Sequence, residues 1–211
     1  MGKVLIIGAN SFIAKHVISK LELLGIDTLL TTRKELNIEN EESIQIFAQG
    51  CKDSIDGVLF FQGINPSINA KEMTGEHFNI MLNVNLIGPT LLLKHINAKL
   101  NAGALILFMS SIAAKKGSYD PSYASSKSAI EGLTISLANE YTNLRFNTIS
   151  LGLVKGSPVY EGMTEDFRDA HANRMNGGFI NKEDVTSVII ELLRNKSINK
   201  AQINIDRGFK S

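Results

Sequence analysis

The order in which apolar runs and amphipathic segments alternate constrains this chain more than any other feature. Val4-Leu5-Ile6-Ile7, Val58-Leu59-Phe60-Phe61 and Ala104-Leu105-Ile106-Leu107-Phe108-Met109 are runs of apolar residues with no polar alternation. A strand with that pattern is buried on both faces, as strands of a parallel sheet are. Segments of helical period lie between the runs. Residues 11–24 set Phe12, Ile13, Val17, Leu21 and Leu24 on one helical face, and Gly25 marks the stop. Further strands are read at 28–31, 145–150 and 202–206, with a very short one at 36–38. Helices are expected near 41–49 behind an Asn40 cap, over 76–99 with an interruption at Gly88-Pro89, near 123–142, and over 183–194 behind an Asn181 cap. Strand alternating with helix on buried strands predicts an α/β fold, a doubly wound parallel sheet of about seven strands with helices on both faces. No repeat, low-complexity stretch or linker divides the 211 residues, so one domain over 1–211 is expected.

Composition narrows the function classes. Lys and Arg number 22 against 21 Asp and Glu, a formal charge of +1, so no global field draws the chain to nucleic acid or to a membrane surface. No apolar run approaches the ~18–20 residues that span a bilayer. The lone Cys51 excludes an intramolecular disulfide framework and fits a reducing compartment. A strand beginning at Lys3-Val4 leaves no room for a signal peptide, and a cytoplasmic protein is expected. The four His and one Cys do not pair closely, and no metal site is expected.

Two local constellations carry chemistry. In a doubly wound fold, the first strand–helix turn is where a dinucleotide pyrophosphate meets a helix N-terminus. Here that turn reads Gly8-Ala9-Asn10-Ser11-Phe12-Ile13-Ala14, with Gly8 for the tight turn, Ser11 as a hydroxyl and N–H donor, and Ala14 for close helix–strand packing. Any strand–helix turn favours glycine, so the turn alone is weak evidence. Tyr123 and Lys127 stand four residues apart on one face of the long helix. A nearby cation favours tyrosinate and lowers a phenol pKa from ~10 towards the range of a general acid or base. Ser110 and Ser111, at the end of the preceding apolar strand, offer a hydroxyl to the same oxygen. A plain amphipathic helix also yields this spacing by chance; the two constellations together point to function.

With these motifs in place, the chain resembles the short-chain dehydrogenase/reductase family over nearly its whole length. The glycine turn is similar to the family's nucleotide turn, and Phe61-Gln62-Gly63-Ile64 stands where the family has Asn-Ala-Gly-Ile. Asn83-Val84-Asn85-Leu86 resembles the segment bearing the active-site Asn, at Asn85. Met109-Ser110-Ser111 resembles the strand end with the catalytic Ser, and Tyr123 and Lys127 match the signature pair. Residues 147–154 resemble the segment that touches the nicotinamide, including Gly152 and Val154, and 203–208 resemble the family's C-terminal strand. The resemblance implies a Rossmann-like fold and hydride transfer between a nicotinamide and a carbonyl or alcohol substrate, a sugar or a 3-oxoacyl compound being candidates. Tyr123 is then the acid for reduction and Ser111 the group that orients the carbonyl. Lys127 holds the nicotinamide ribose and depresses the Tyr123 pKa, and Asn85 holds a water of a proton relay. Implied cofactor contacts are Gly8, Asn10, Ser11, Phe12, Ile13, Arg33, Asn37, Ile38, Gln62, Gly63, Gly152 and Val154, with Tyr123 and Lys127. Family members pair helices across a two-fold axis, which implies a homodimer or homotetramer.

The departures matter as much. Phe12 and Ala14 replace two glycines of the family's turn. Ser111 matches by local motif, twelve residues before Tyr123, whereas Ser110 matches the expected spacing of thirteen; the choice stays open, with Ser111 preferred because a loop absorbs a deletion. Only Thr32 to Leu36 separate the second strand from Asn37, so the family's helix between its second and third strands is expected to be missing. At the end of the second strand, where an NAD site has an acidic residue, stand Thr31-Thr32-Arg33-Lys34. Arg33 suits a ribose 2′-phosphate, which favours NADP(H) over NAD(H). Residues 155–180 are expected to form a substrate lid, in which His171 is a minor candidate for reaching substrate, and Arg168 and Arg174 read more simply as solvated helix charge. A dinucleotide-sensing regulatory protein and a sugar-nucleotide epimerase or dehydratase are the alternatives. An intact Ser–Tyr–Lys–Asn set weighs against the first, and a short C-terminal part against the second.

Overall fold

The computed structural model describes residues 2–210. In chain order the elements are β1 (Lys3–Ile7), α1 (Phe12–Leu23), β2 (Thr28–Thr31), α2 (Glu41–Gly50), β3 (Ile55–Phe60), α3 (Gly75–Leu82), a π-helical turn (Asn83–Ile87), α4 (Gly88–Ile96), a 3₁₀ turn (Asn97–Lys99), β4 (Leu100–Ser111), α5 (Ala113–Lys116), α6 (Pro121–Glu140), β5 (Arg145–Leu151), α7 (Pro158–Glu161), α8 (Glu165–Ala172), α9 (Lys182–Arg194) and β6 (Gln202–Ile205). The strands form one sheet in the order β2-β1-β3-β4-β5-β6, every pair parallel.

The unbroken apolar runs do what a doubly covered sheet requires. Val4, Ile6, Leu59, Leu105 and Leu107 pack into one core, where α1 and α9 contribute Val17, Leu21, Val185 and Ile189. Their strand neighbours Leu5, Ile7, Val58, Phe60, Ile106 and Phe108 point the other way, into a second core with Ile44 of α2, Leu92 and Ile96 of α4 and Ile130 of α6. Phe60 and Phe108 stack across β3 and β4, ring centroids 4.9 Å apart.

Several helix starts follow from capping. Ser11 Oγ accepts from Ala14 N (3.3 Å) and Asn40 Oδ1 from Ser43 N (2.8 Å). Asn181 and Asp184 form a capping box at α9. The long helix α6 begins two residues before the sequence reading, because Asp120 caps it and Pro121 occupies the first turn, where its missing N–H has no cost.

Two expectations are corrected. The sheet has six strands rather than about seven: 36–38 is an irregular connection, although Leu36 and Ile38 are buried as expected of core residues. The four residues between Thr31 and Leu36 are too few for a crossover that could lay a parallel strand beside β2. The segment is instead tied down by Leu36 N to Thr32 O (3.0 Å) and Asn37 N to Ser43 Oγ (3.0 Å). No helix lies between β2 and Asn37, as expected, but because 36–38 is not a strand the second and third strands of the sheet are joined through α2. The second correction concerns 76–99, where Gly88-Pro89 does not interrupt the helix. Pro89 falls in the first turn of α4, and the wider π-helical turn before it takes up the mismatch.

Candidate active site

The topological switch point of the sheet lies between β1 and β3, since the chain leaves β1 for β2 on one side and returns to β3 on the other. A cleft of about 570 Å³ opens at the carboxyl ends of these strands and of β4 and β5. It shares Asn10, Ser11, Phe61, Gln62, Gly63 and Ile64 with a second cavity of about 290 Å³ that reaches Thr32, Arg33, Asn37 and Ile38. One groove thus runs from the end of β2 to the end of β5, the extended shape a dinucleotide needs.

The glycine turn supports its middle. Gly8 has φ +79°, and a Cβ there would stand 2.7 Å from Gln62 N, so only glycine lets β1 pass the end of β3 this closely. Ser11, expected to offer both hydroxyl and N–H to phosphate, spends them on the fold: its Oγ caps α1 and its N–H donates to Gly8 O (2.9 Å). The N–H groups of Phe12 and Ile13 have no hydrogen-bond partner among the described residues, and both residues line the cleft at the positive end of α1. The buried Gln62 Oε1 likewise lacks a donor, while its Nε2 reaches Val84 O at 3.4 Å. These unpaired groups fit a pyrophosphate and a ligand donor respectively. At the β2 end, Arg33 is 76% exposed and its guanidinium pairs with Glu39 at 2.7 Å.

The chemistry-bearing residues converge at the other end. Asp120 fixes the start of α6, accepting from Tyr123 N (3.1 Å), Ser122 Oγ (2.6 Å) and Ile68 N (3.2 Å). Burial works against its charge, but these hydrogen bonds outweigh burial and hold the carboxyl below its ordinary range. Tyr123 and Lys127 follow on successive turns, with the ammonium 5.8 Å from the Tyr123 ring centroid, and both line the cleft. Lys127 Nζ is buried and donates to Met109 O (2.8 Å); burial pulls its pKa down to about 8.

The two serines at the end of β4 separate by strand alternation. Ser110 Oγ turns into α6, donating to Lys127 O (3.0 Å) and to Glu131 Oε1 (3.3 Å). Ser111 lines the cleft alongside Tyr123, and its Oγ accepts from Ala113 N (3.1 Å). The expected depression of the Tyr123 pKa is corrected: burial pushes the phenol above its ordinary value, against the Ser111 hydroxyl, which acts the other way. The reason is that Lys127 directs its ammonium at a backbone carbonyl and is itself desolvated.

Asn85 sits in the π-helical turn, 2% exposed. Its Oδ1 accepts from Ile64 N (3.1 Å), and its Nδ2 donates to Ile64 O (3.3 Å) and Ser126 Oγ (3.1 Å). The amide therefore clamps the irregular segment at Ile64, after Gly63 and beside Lys127. A Cβ on Gly63 would come within 3.4 Å of Asn85 Oδ1 and 3.5 Å of Lys127 Nζ. Gly152 and Val154 line the far wall, Gly152 N donating to Ile205 O (2.9 Å) and Val154 bridging to Ile180.

Residues from 155–180 cover this end through Ser157, Pro158, Val159, Met163 and His171. Arg168 is a strut between α7 and α8, donating to Tyr160 O (3.0 Å) and Glu161 O (3.1 Å), and does not line the cleft. Lys116 and Ser118 also line it and escaped the sequence reading; the only signal for them was their place in the loop directly after the Ser110-Ser111 strand end.

A parallel α/β sheet with a switch-point groove and a Ser–Tyr–Lys cluster at its strand ends defines a class, the dinucleotide-type oxidoreductase fold. A family model described as enoyl-(acyl carrier protein) reductase matches residues 13–210, and the chain belongs to the short-chain dehydrogenase/reductase family. Comparison with curated proteins gives no significant match. Among solved structures, a small-chain dehydrogenase in complex with NADPH is 24% identical at a TM-score of 0.86, covering 99% of this chain and 98% of that one. A glucose/ribitol dehydrogenase of the family from Brucella melitensis is 18% identical at 0.87, covering 100% and 97%. A 3-oxoacyl-[acyl-carrier protein] reductase from the same organism is 19% identical at 0.84, covering 99% and 91%. Among the described residues no helix is long and apolar enough to cross a membrane.

Proposed function

We propose that this protein is an NADP(H)-preferring reductase or dehydrogenase acting on a small carbonyl or alcohol substrate, such as a sugar or a 3-oxoacyl compound. The observation that carries the reading is the meeting of Ser111, Tyr123 and Lys127 in the wall of a groove that continues to the glycine turn. The free N–H groups of Phe12 and Ile13 would hold the pyrophosphate, beside Gly8, Asn10 and Ser11. Arg33, Asn37 and Ile38 would hold the adenosine, and Gln62, Gly63, Gly152, Val154, Tyr123 and Lys127 the nicotinamide riboside. When bound, the dinucleotide supplies hydride chemistry.

The chain's own residues supply the proton and the geometry. Tyr123, its phenol kept protonated by burial, donates to the carbonyl oxygen as charge develops there. Ser111 gives a second hydrogen bond to that oxygen and fixes its position between two hydroxyls. Lys127, its ammonium 5.8 Å from the Tyr123 ring centroid, would hold the nicotinamide ribose beside the phenol. Asn85 and Ser110 hold the backbone on either side of Lys127 and act as positioning residues.

NADP(H) preference rests on Arg33 at the groove's end, and Glu39 moderates it by competing for the guanidinium. The protein is one dinucleotide-binding domain with residues 155–180 as a lid. It works as a homodimer or homotetramer in the cytoplasm, joined through the half-exposed Ile80, Ile87 and Ile135 on neighbouring helices. The test is oxidation of NADPH and of NADH followed by absorbance over a panel of aldehydes, ketoses and 3-oxoacyl thioesters. Turnover of one class with an NADPH preference supports the reading; no turnover in either direction with either cofactor contradicts it. Glu39→Gln should widen the NADPH preference by roughly threefold to tenfold, a contribution of up to ~1.4 kcal/mol.

A further inference from the structure

Opposite Tyr123 the mouth of the cleft is cationic. Lys116, at the end of α5, and His171, at the end of α8, both line it, together with Ser118. Behind them the Phe209 ring gathers the charges: Lys116 Nζ and the Arg174 guanidinium each lie 5.4 Å from its centroid, and the His171 ring 5.0 Å. Among the described residues, none of the Lys116, His171 and Arg174 side chains makes a hydrogen bond or an ion pair within the protein. The neighbouring polar groups are engaged elsewhere, Lys115 with Asn204 Oδ1 (3.0 Å) and Asp206 with Gly208 N (2.9 Å). Lys116 and Arg174, two cations against one ring with no carboxylate partner among the described residues, repel each other and disfavour charge on His171, in a chain whose total charge is only +1. Their cleft-facing members stand on elements from both sides of the opening, α5 and α8.

We infer that Lys116 and His171, backed by Arg174, form an anion subsite that takes a carboxylate or phosphate at the end of the substrate remote from its carbonyl. This deepens the proposed function and rests on it, since the carbonyl is the group placed at Ser111 and Tyr123. An anion beside Lys116 and Arg174 relieves their repulsion, favours protonation of His171 and accepts charge-assisted hydrogen bonds, and Ser118 Oγ supplies a neutral donor. His171 adds a distinct readout. Burial first, then Lys116 and Arg174, hold its pKa below the ordinary value, and a bound anion reverses the part due to charge.

The experiment is a ring NMR titration of the four histidines, with His171→Gln to assign the signal. Glutarate, inorganic phosphate and the neutral glutaramide are added in separate series. The subsite predicts that glutarate or phosphate moves the His171 signal and raises its titration midpoint, glutaramide does neither, and Lys116→Gln weakens the effective anion about tenfold or more. Whichever anion acts at the lower concentration identifies the group. No response to either anion, an equal response to glutaramide, or full anion affinity in Lys116→Gln overturns the proposal. In parallel, ω-carboxy aldehydes and their methyl esters are compared as substrates. A preference for the acids of about tenfold in kcat/KM that collapses in Lys116→Gln supports the subsite, and equal use of both overturns it. Because the ring titration needs no turnover, failure of carbonyl reduction with the His171 response intact removes the reductase reading and not the anion site.

Discussion

Lys127 is the residue at which function and stability pull hardest against each other. Its ammonium is buried with one carbonyl partner, and its pKa falls to about 8 from an ordinary 10.5. A group depressed in the folded state contributes stability above its unfolded pKa and loses it as pH falls through the folded value, so the penalty is fully felt below about pH 8. Lys127→Met is therefore expected to abolish turnover yet stabilise the protein near neutral pH by about 1–3 kcal/mol, the gap closing as pH rises towards 10. Urea denaturation at several pH values checks this, and a variant less stable than wild type at pH 7 contradicts it. The serines divide by the same logic of surroundings. Ser111→Ala should lower turnover by about a hundredfold with little change in stability, whereas Ser110→Ala should lose about 1–2 kcal/mol of stability and far less activity. Sequence spacing left the two open because both lie at one strand end; the alternation of β4 turns Ser110 into α6 and leaves Ser111 on the cleft, which favours Ser111. Lys116 was illegible for a different reason. It comes to the cleft through the path of a loop, and no local pattern records that.

At the scale of elements, the π-helical turn and the β2–α2 connection form one device. Gly88 lies against the 32–40 segment so closely that a Cβ there would be 2.0 Å from Ile38 O. Gly88→Ala must push that segment outwards, towards the cavity lined by Asn37 and Ile38. The expected result is a loss of about 1–3 kcal/mol in stability, measured by denaturant unfolding, together with weaker dinucleotide binding. Unchanged stability would mean that the segment yields freely and does not set the cavity wall. In sequence, Gly88-Pro89 signals a break and Leu36-Asn37-Ile38 a strand. The first signal fails because proline is harmless in a helix's first turn, and the second because burial alone does not make a strand where the connection is too short to reach the sheet edge. The caps at Asn40 and Asn181 were legible, since a side-chain cap is local chemistry, whereas the cap at Ser11 was read as a phosphate donor.

At the scale of the molecule, the parallel sheet and its two cores follow from strands that are apolar on each face, and those strands were readable without any contact information. What patterning could not give is the shape of the groove, which depends on Gly8 letting the ends of β1 and β3 approach and on Gly63 keeping a side chain away from Asn85 and Lys127. A ligand that binds only the folded groove stabilises it by mass action. NADPH at a hundredfold excess over its Kd should add about 2.7 kcal/mol, a rise in Tm of roughly 5–10 °C, while adenosine alone adds less. Equal melting with and without NADPH would deny the groove its occupant.

Tyr123→Phe tests the central claim most directly, because it removes one oxygen and leaves the aromatic packing in place. Reduction of the best carbonyl substrate should fall by about a hundredfold to ten-thousandfold, while the NADPH-dependent rise in Tm matches wild type. Undiminished turnover in that variant would contradict the assignment of the proton to Tyr123, and with it the mechanism proposed for this cleft.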